Sequence, residues 1–153
     1  MKTFRQRLDR LLASALILIM TAMVLNVLWQ VFSRYVLGSP SSFTDELARY
    51  LMIWLGVLGA AYVAGKDGHV AIDILPRRAK PGTQRRLRQA GNWIILLFCF
   101  FGLVIGGGRL VFVPYVLEQS SPALRLPLAY VYLVIPLSGL IVIYYKSHDL
   151  LGR

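Results

Sequence analysis

Only a handful of side chains in this sequence could do chemistry. Asp45 and Glu46 are adjacent carboxylates, and Arg49 follows at i+4 and i+3. On a helix that spacing makes local ion pairs. Paired carboxylates can also do acid–base work, but nothing nearby offers a second catalytic group. Asn26, Gln30 and Arg34 fall at i, i+4, i+8, so one helix face carries all three. Glu46 or Asp45 could bridge to Arg34 across two helices. His69 and Asp73 stand four apart, and His148-Asp149 lies far along the chain. Two ligands do not make a metal site, so capping or a subunit contact is the simpler role. Cys99 is the one cysteine and stands in an apolar run. It reads as an inert thiol facing lipid or a neighbouring helix. No phosphate-binding loop, dinucleotide turn, nucleophile elbow or zinc motif is present. Catalytic, cofactor and metal residues are therefore not expected.

The elements that must position these groups are membrane helices. The 153 residues are 57% hydrophobic and only 16% charged, with a mean hydropathy of +0.61. Soluble domains are usually about 45–50% apolar and about 25% charged. Charge-free runs long enough to cross about 30 Å of hydrocarbon recur along the chain. The patterning predicts an all-α integral membrane protein with four transmembrane helices, in a single domain. They are expected at about 11–34, 42–65, 88–116 and 127–146. The first run is too long for a signal-peptide core, and Val31-Phe32-Ser33-Arg34-Tyr35 is a poor cleavage site, so the first helix is read as uncleaved.

Local signals set the ends. Gly38-Ser39-Pro40-Ser41-Ser42 is a turn, and Ser42 with Asp45 matches a capping box. Gly56, Gly59, Ala60 and Ala61 predict a small-residue face, which lets helices approach closely in lipid. Trp54 is deep enough to pack against another helix. Gly68 to Leu75 reads as a short amphipathic cytoplasmic segment between helices 2 and 3. Gly106-Gly107-Gly108 permits close packing, and Pro136 predicts a kink.

Charge sets the orientation. Most of the 17 Lys and Arg lie before the first run, between the second and third, or after the fourth. The positive-inside rule then places both termini in the cytoplasm. The same placement explains the net charge of +10 without nucleic acid, which is not expected as a partner. Phospholipid is the expected contact for the basic and aromatic belts. All seven acids lie in loops or at helix ends, and neither histidine is within an apolar core. A proton-coupled carrier or a haem-binding subunit would need such groups in mid-membrane. The chain reads as an accessory membrane subunit. A self-sufficient small carrier or channel and an anchor for a membrane enzyme are the alternatives.

The ordered set Arg34-Tyr35-Val36, Ser39 to Phe43, Glu46-Leu47-Ala48-Arg49, Trp54, Gly59-Ala60-Ala61 and His69-Val70-Ala71-Ile72-Asp73 resembles the small membrane subunit of TRAP transporters (tripartite ATP-independent periplasmic, DctQ type). Ser121-Pro122-Ala123-Leu124, Pro127, Tyr132 and Ile135-Pro136 continue the resemblance; Phe43 departs from it, where tryptophan is frequent. The resemblance implies a bacterial inner-membrane complex with a large DctM-like membrane subunit and a periplasmic substrate-binding protein. It implies sodium-driven uptake of carboxylate-bearing solutes by an elevator motion of the large subunit, for which the small one is scaffold and anchor. On this reading Asn26, Gln30, Arg34, Asp45, Glu46, Arg49, Trp54, Gly59, His69 and Asp73 make helix-packing or subunit contacts.

Overall fold

The structure is a computed structural model that describes residues 2–39, 41–66 and 81–151. Helix α1 spans Lys2–Tyr35 and α2 spans Ser42–Gly65. Helix α3 spans Pro81–Phe98 and runs on through a π-helical stretch, Cys99–Gly106, into α4, Gly107–Val116. The backbone stays right-handed helical through Phe98, Gly106 and Gly107, so these three pieces form one span. Helices α5, Leu128–Tyr132, and α6, Val134–Leu151, form the last. Among the described residues, four helices are long and apolar enough to cross a membrane, namely Arg5–Tyr35, Ser42–Gly65, Gln89–Val116 and Leu128–His148. The expected amphipathic segment, with His69 and Asp73, lies outside the described residues.

The helix ends follow local chemistry. Helix α1 takes in the basic stretch ahead of its apolar run, because nothing from Lys2 to Arg10 breaks a helix. Helix α3 opens on Pro81, whose missing N–H would be unpaired at a first helical position anyway. The N-cap of α2 is Ser41, one residue before the Ser42 expected, and it makes no side-chain cap bond. With Ser41 as the N-cap, Asp45 falls at the fourth helical position and not the third, so the capping box is absent. The last span breaks at Leu133, one turn ahead of Pro136. There the proline ring crowds the carbonyl four residues back and supplies no N–H to it.

Helix α4 ends in a Schellman motif. The Glu118 N–H donates to the Tyr115 carbonyl at 3.3 Å and the Gln119 N–H to that of Pro114 at 2.9 Å. Glu118 occupies the left-handed position, at φ 49°, where glycine is usual.

The spans stand in a row. Helix α1 packs on α2, α2 on α6, and α6 on the π-helical stretch, while among the described residues α1 and the third span do not approach each other. One core cluster joins Leu12 and Ile19 of α1 with Leu58, Val134 and Tyr145. The other joins Ala61 and Ala64 of α2 with Cys99 and Val142, which places the thiol against helices. Small residues set how close the row packs. A Cβ at Gly139 would lie 2.7 Å from the Leu103 Cβ, and one at Gly65 would lie 2.7 Å from the Tyr145 ring. Gly56 has open space around it and Gly59 only a distant Leu16, so the tight part of the α2 small-residue face is Ala61, Ala64 and Gly65. Both broad faces of the row are apolar and exposed, with Leu18, Leu25, Trp93, Phe98 and Phe101 among the outermost side chains.

Candidate functional site

Polar ties cluster at the two ends of the row. At the end carrying the α1–α2 and α4–α5 connections, α2 is the hub. Asn26 is buried in α1, and its Nδ2 donates to the Thr44 carbonyl at 2.8 Å. One turn further, Gln30 Nε2 donates to Asp45 Oδ1. Glu46, the neighbour of Asp45, points the other way, because successive helical residues are turned by about 100°. Its Oε1 accepts the Tyr50 hydroxyl at 2.6 Å. Its Oε2 accepts the backbone N–H groups of Ala123 at 2.8 Å and Leu124 at 3.0 Å.

The loop from Glu118 to Pro127 is shaped to meet that carboxylate. The Ser121 N–H donates to Leu126 O at 2.9 Å, and the Arg125 N–H to Ser121 O at 3.0 Å. Arg125 adopts φ 53° to close the turn. The fold leaves two adjacent N–H groups, at Ala123 and Leu124, facing out of the turn as they would at the start of a helix. A carboxylate is the natural acceptor for such a pair. Ser121 is buried beside it. Deeper along α2, Trp54 Nε1 donates to Val131 O at 3.1 Å and ties α2 to α5.

Among the described residues, no ion pair joins Arg34 to Asp45 or Glu46, and none joins Arg49 to either. Both acids are already engaged, by Gln30 and by the 121–125 turn. Arg34 stands one turn past Gln30, at the exposed end of α1. The bridge expected from Arg34 is therefore made by Gln30, a neutral group one turn deeper. Arg49 lines a cleft of about 340 Å3 with Ser42, Asp45, Glu46, Pro122 and Ala123.

The opposite end carries a second set of ties that the sequence reading did not single out. Arg5 Nη2 donates to the Gly65 carbonyl at 2.6 Å, and the Arg5 guanidinium lies 5.6 Å from the Tyr145 ring centroid. The Tyr145 hydroxyl donates to Asp9 Oδ1. Helices α1, α2 and α6 thus meet at one buried tyrosine. The signal was the i, i+4 spacing of Arg5 and Asp9, which puts both on one face. Lys66, one residue past α2, lies 4.6 Å from the Tyr62 ring centroid, and the Tyr62 side chain raises its pKa above the ordinary lysine value. Among the described residues, no three His, Cys, Asp or Glu side chains gather as metal ligands.

Chemically, these groups hold helices. Most are spent on carbonyls, amides and each other, at the ends of apolar spans whose middles carry no acid among the described residues. The family described as "Tripartite ATP-independent periplasmic transporters, DctQ component" matches residues 23–152. A TRAP transporter small permease protein of Haemophilus influenzae is 29% identical over 142 residues, which is 93% of this chain and 86% of that protein. The ectoine TRAP transporter small permease protein TeaB of Halomonas elongata is 29% identical, over 88% of this chain and 69% of that protein. The isethionate TRAP transporter permease protein DctMQ of Oleidesulfovibrio alaskensis is 26% identical over 88% of this chain, which spans only 22% of that longer protein. Small subunits of this kind associate with a large permease, in systems that include a substrate-binding protein. With four membrane-spanning helices and a family match over most of its length, the chain belongs to the DctQ component family of tripartite ATP-independent periplasmic transporters and is a multi-pass protein of the inner membrane.

Proposed function

We propose that this chain is a scaffold and membrane anchor for the large permease, in sodium-driven uptake of carboxylate-bearing solutes by an elevator-type motion. The observation that carries the reading is the row of spans, tied at both ends. A row encloses no path between its helices, and it offers two broad apolar faces to lipid and to a neighbouring subunit. A domain that moves through a bilayer exerts force on its fixed partner. Ties at both ends let a thin rank of helices bear that force as one body.

On this reading Asn26, Gln30, Asp45, Glu46 and Trp54 hold the rank together. Arg34, Arg49 and Gly59 belong to its outward contacts. Both termini and the basic stretch between α2 and α3 face the cytoplasm, and the Glu46-bound loop faces the periplasm beside the substrate-binding protein. The relatives' names carry solutes as different as isethionate and ectoine, which fits a subunit that does not choose the solute.

Reconstitution tests this. Proteoliposomes holding this chain alone should take up no organic acid under a sodium gradient. Those holding it with the large permease, supplied with binding protein, should. Uptake by the chain alone would overturn the scaffold reading and favour a self-sufficient carrier. Impermeant thiol labelling of a cysteine placed at Arg125 but not of one placed at Arg7, in intact cells, is the expected result for the orientation.

A further inference from the structure

Arg109 is a charge inside an apolar span. It is the one charged residue between Gln89 and Val116, and it lies seven residues before the end of α4. That places it about 10 Å along the helix from the loop end. Its side chain is exposed, and it forms no ion pair among the described residues. A cation at that depth is costly unless its head reaches the polar layer. The span is roughly 40 Å long against about 30 Å of hydrocarbon, so Arg109 falls near the boundary where headgroups begin. Phe112 and Tyr115, exposed on the same helix, fit an interfacial aromatic belt.

Arg109 opens onto a cleft of about 390 Å3. Gln119 and Tyr132 bring two more groups able to donate hydrogen bonds, and Gly106, Val113 and Pro114 supply apolar wall. No acid lines this cleft, whereas Asp45 and Glu46 stand beside Arg49 in the cleft on α2. We propose that the Arg109 cleft binds a phospholipid, with the phosphodiester held by Arg109, Gln119 and Tyr132 and an acyl chain lying along the α4 wall. A guanidinium matches a phosphate through paired N–H groups, and the apolar wall gives the acyl chain a surface that a free anion would not use. The exposure of Leu110 and Val113 leaves the cleft open to the bilayer.

Native mass spectrometry of the full chain in a nonionic detergent tests this, alone and with the large permease. The probes are dioleoylphosphatidylglycerol, dioleoylglycerol and inorganic phosphate. The expected result is one phosphatidylglycerol adduct on the unaltered chain, and dioleoylglycerol and phosphate should not reproduce it. Arg109→Gln should weaken the adduct by about tenfold or more, with Arg109→Lys intermediate and Arg10→Gln without effect. Helicity by circular dichroism shows whether the variants fold. If they do not, equal binding of phosphatidylglycerol and dioleoylglycerol to the unaltered chain would still overturn the proposal. Equal phosphatidylglycerol binding by Arg109→Gln also overturns it. So does a variant that keeps the lipid and loses the large permease, which would assign Arg109 to an acid of that subunit.

Discussion

Replacing Gly65 with alanine tests whether the helices truly converge on Tyr145. The added methyl would lie 2.7, 2.8 and 2.9 Å from three atoms of the ring. Ordinary contact begins near 3.4 Å. The ring cannot turn away cheaply, because it is fully buried, its hydroxyl is bound to Asp9 and Arg5 lies over its face. Overpacking of this kind costs about 1–3 kcal/mol. Alanine is a better helix former than glycine by up to about 1 kcal/mol, and by less at the last residue of a helix. The net expectation for Gly65→Ala is destabilisation by about 1–2 kcal/mol. Tyr145→Ala should itself cost about 3–5 kcal/mol through the cavity it leaves. In that background the clash is gone, so Gly65→Ala should become neutral or stabilising by up to about 1 kcal/mol. The double-mutant cycle should therefore show a coupling of about 1–3 kcal/mol. Unfolding by dodecyl sulfate in dodecylmaltoside micelles, followed by circular dichroism, measures each corner. Equal cost of Gly65→Ala in both backgrounds would refute the packing of α2 on α6 described above.

Three further outcomes follow from the other end of the row. Glu46→Gln removes the charge that two amides share, so hydrogen exchange at Ala123 and Leu124 should speed up while that in the middle of α6 stays unchanged. Trp54→Phe loses the bond to Val131 and also part of the packed indole, so in the same micelle assay it should cost more than the roughly 0.6 kcal/mol average for such bonds between membrane helices. Glu118→Gly relieves a left-handed residue in the Schellman motif and should stabilise by up to about 1 kcal/mol.

The spans were legible because hydrocarbon is an unforgiving solvent. A run without charge and long enough to cross it has few other uses, so Ser42–Gly65 and Gln89–Val116 stand out by composition. The face holding Asn26 and Gln30 was legible for the same reason, since polar groups at that depth must find partners. The identity of the partners was not legible. Helical periodicity says which residues share a face, but it does not say which other helix that face meets.

Sequence alone determined the four spans, the absence of acids and histidines from their interiors, and the small residues along α2. Tertiary structure decided the rest. It selected Gln30 over Arg34 as the link to Asp45. It gave Glu46 to two backbone amides 77 and 78 residues away. It drew Arg5, Asp9, Gly65 and Tyr145 into one tie. The physical reason is that a backbone N–H at Ala123 has no letter of its own in the sequence. It becomes a binding group only when the turn at 121–125 leaves it unpaired and the packing of α2 brings a carboxylate to it.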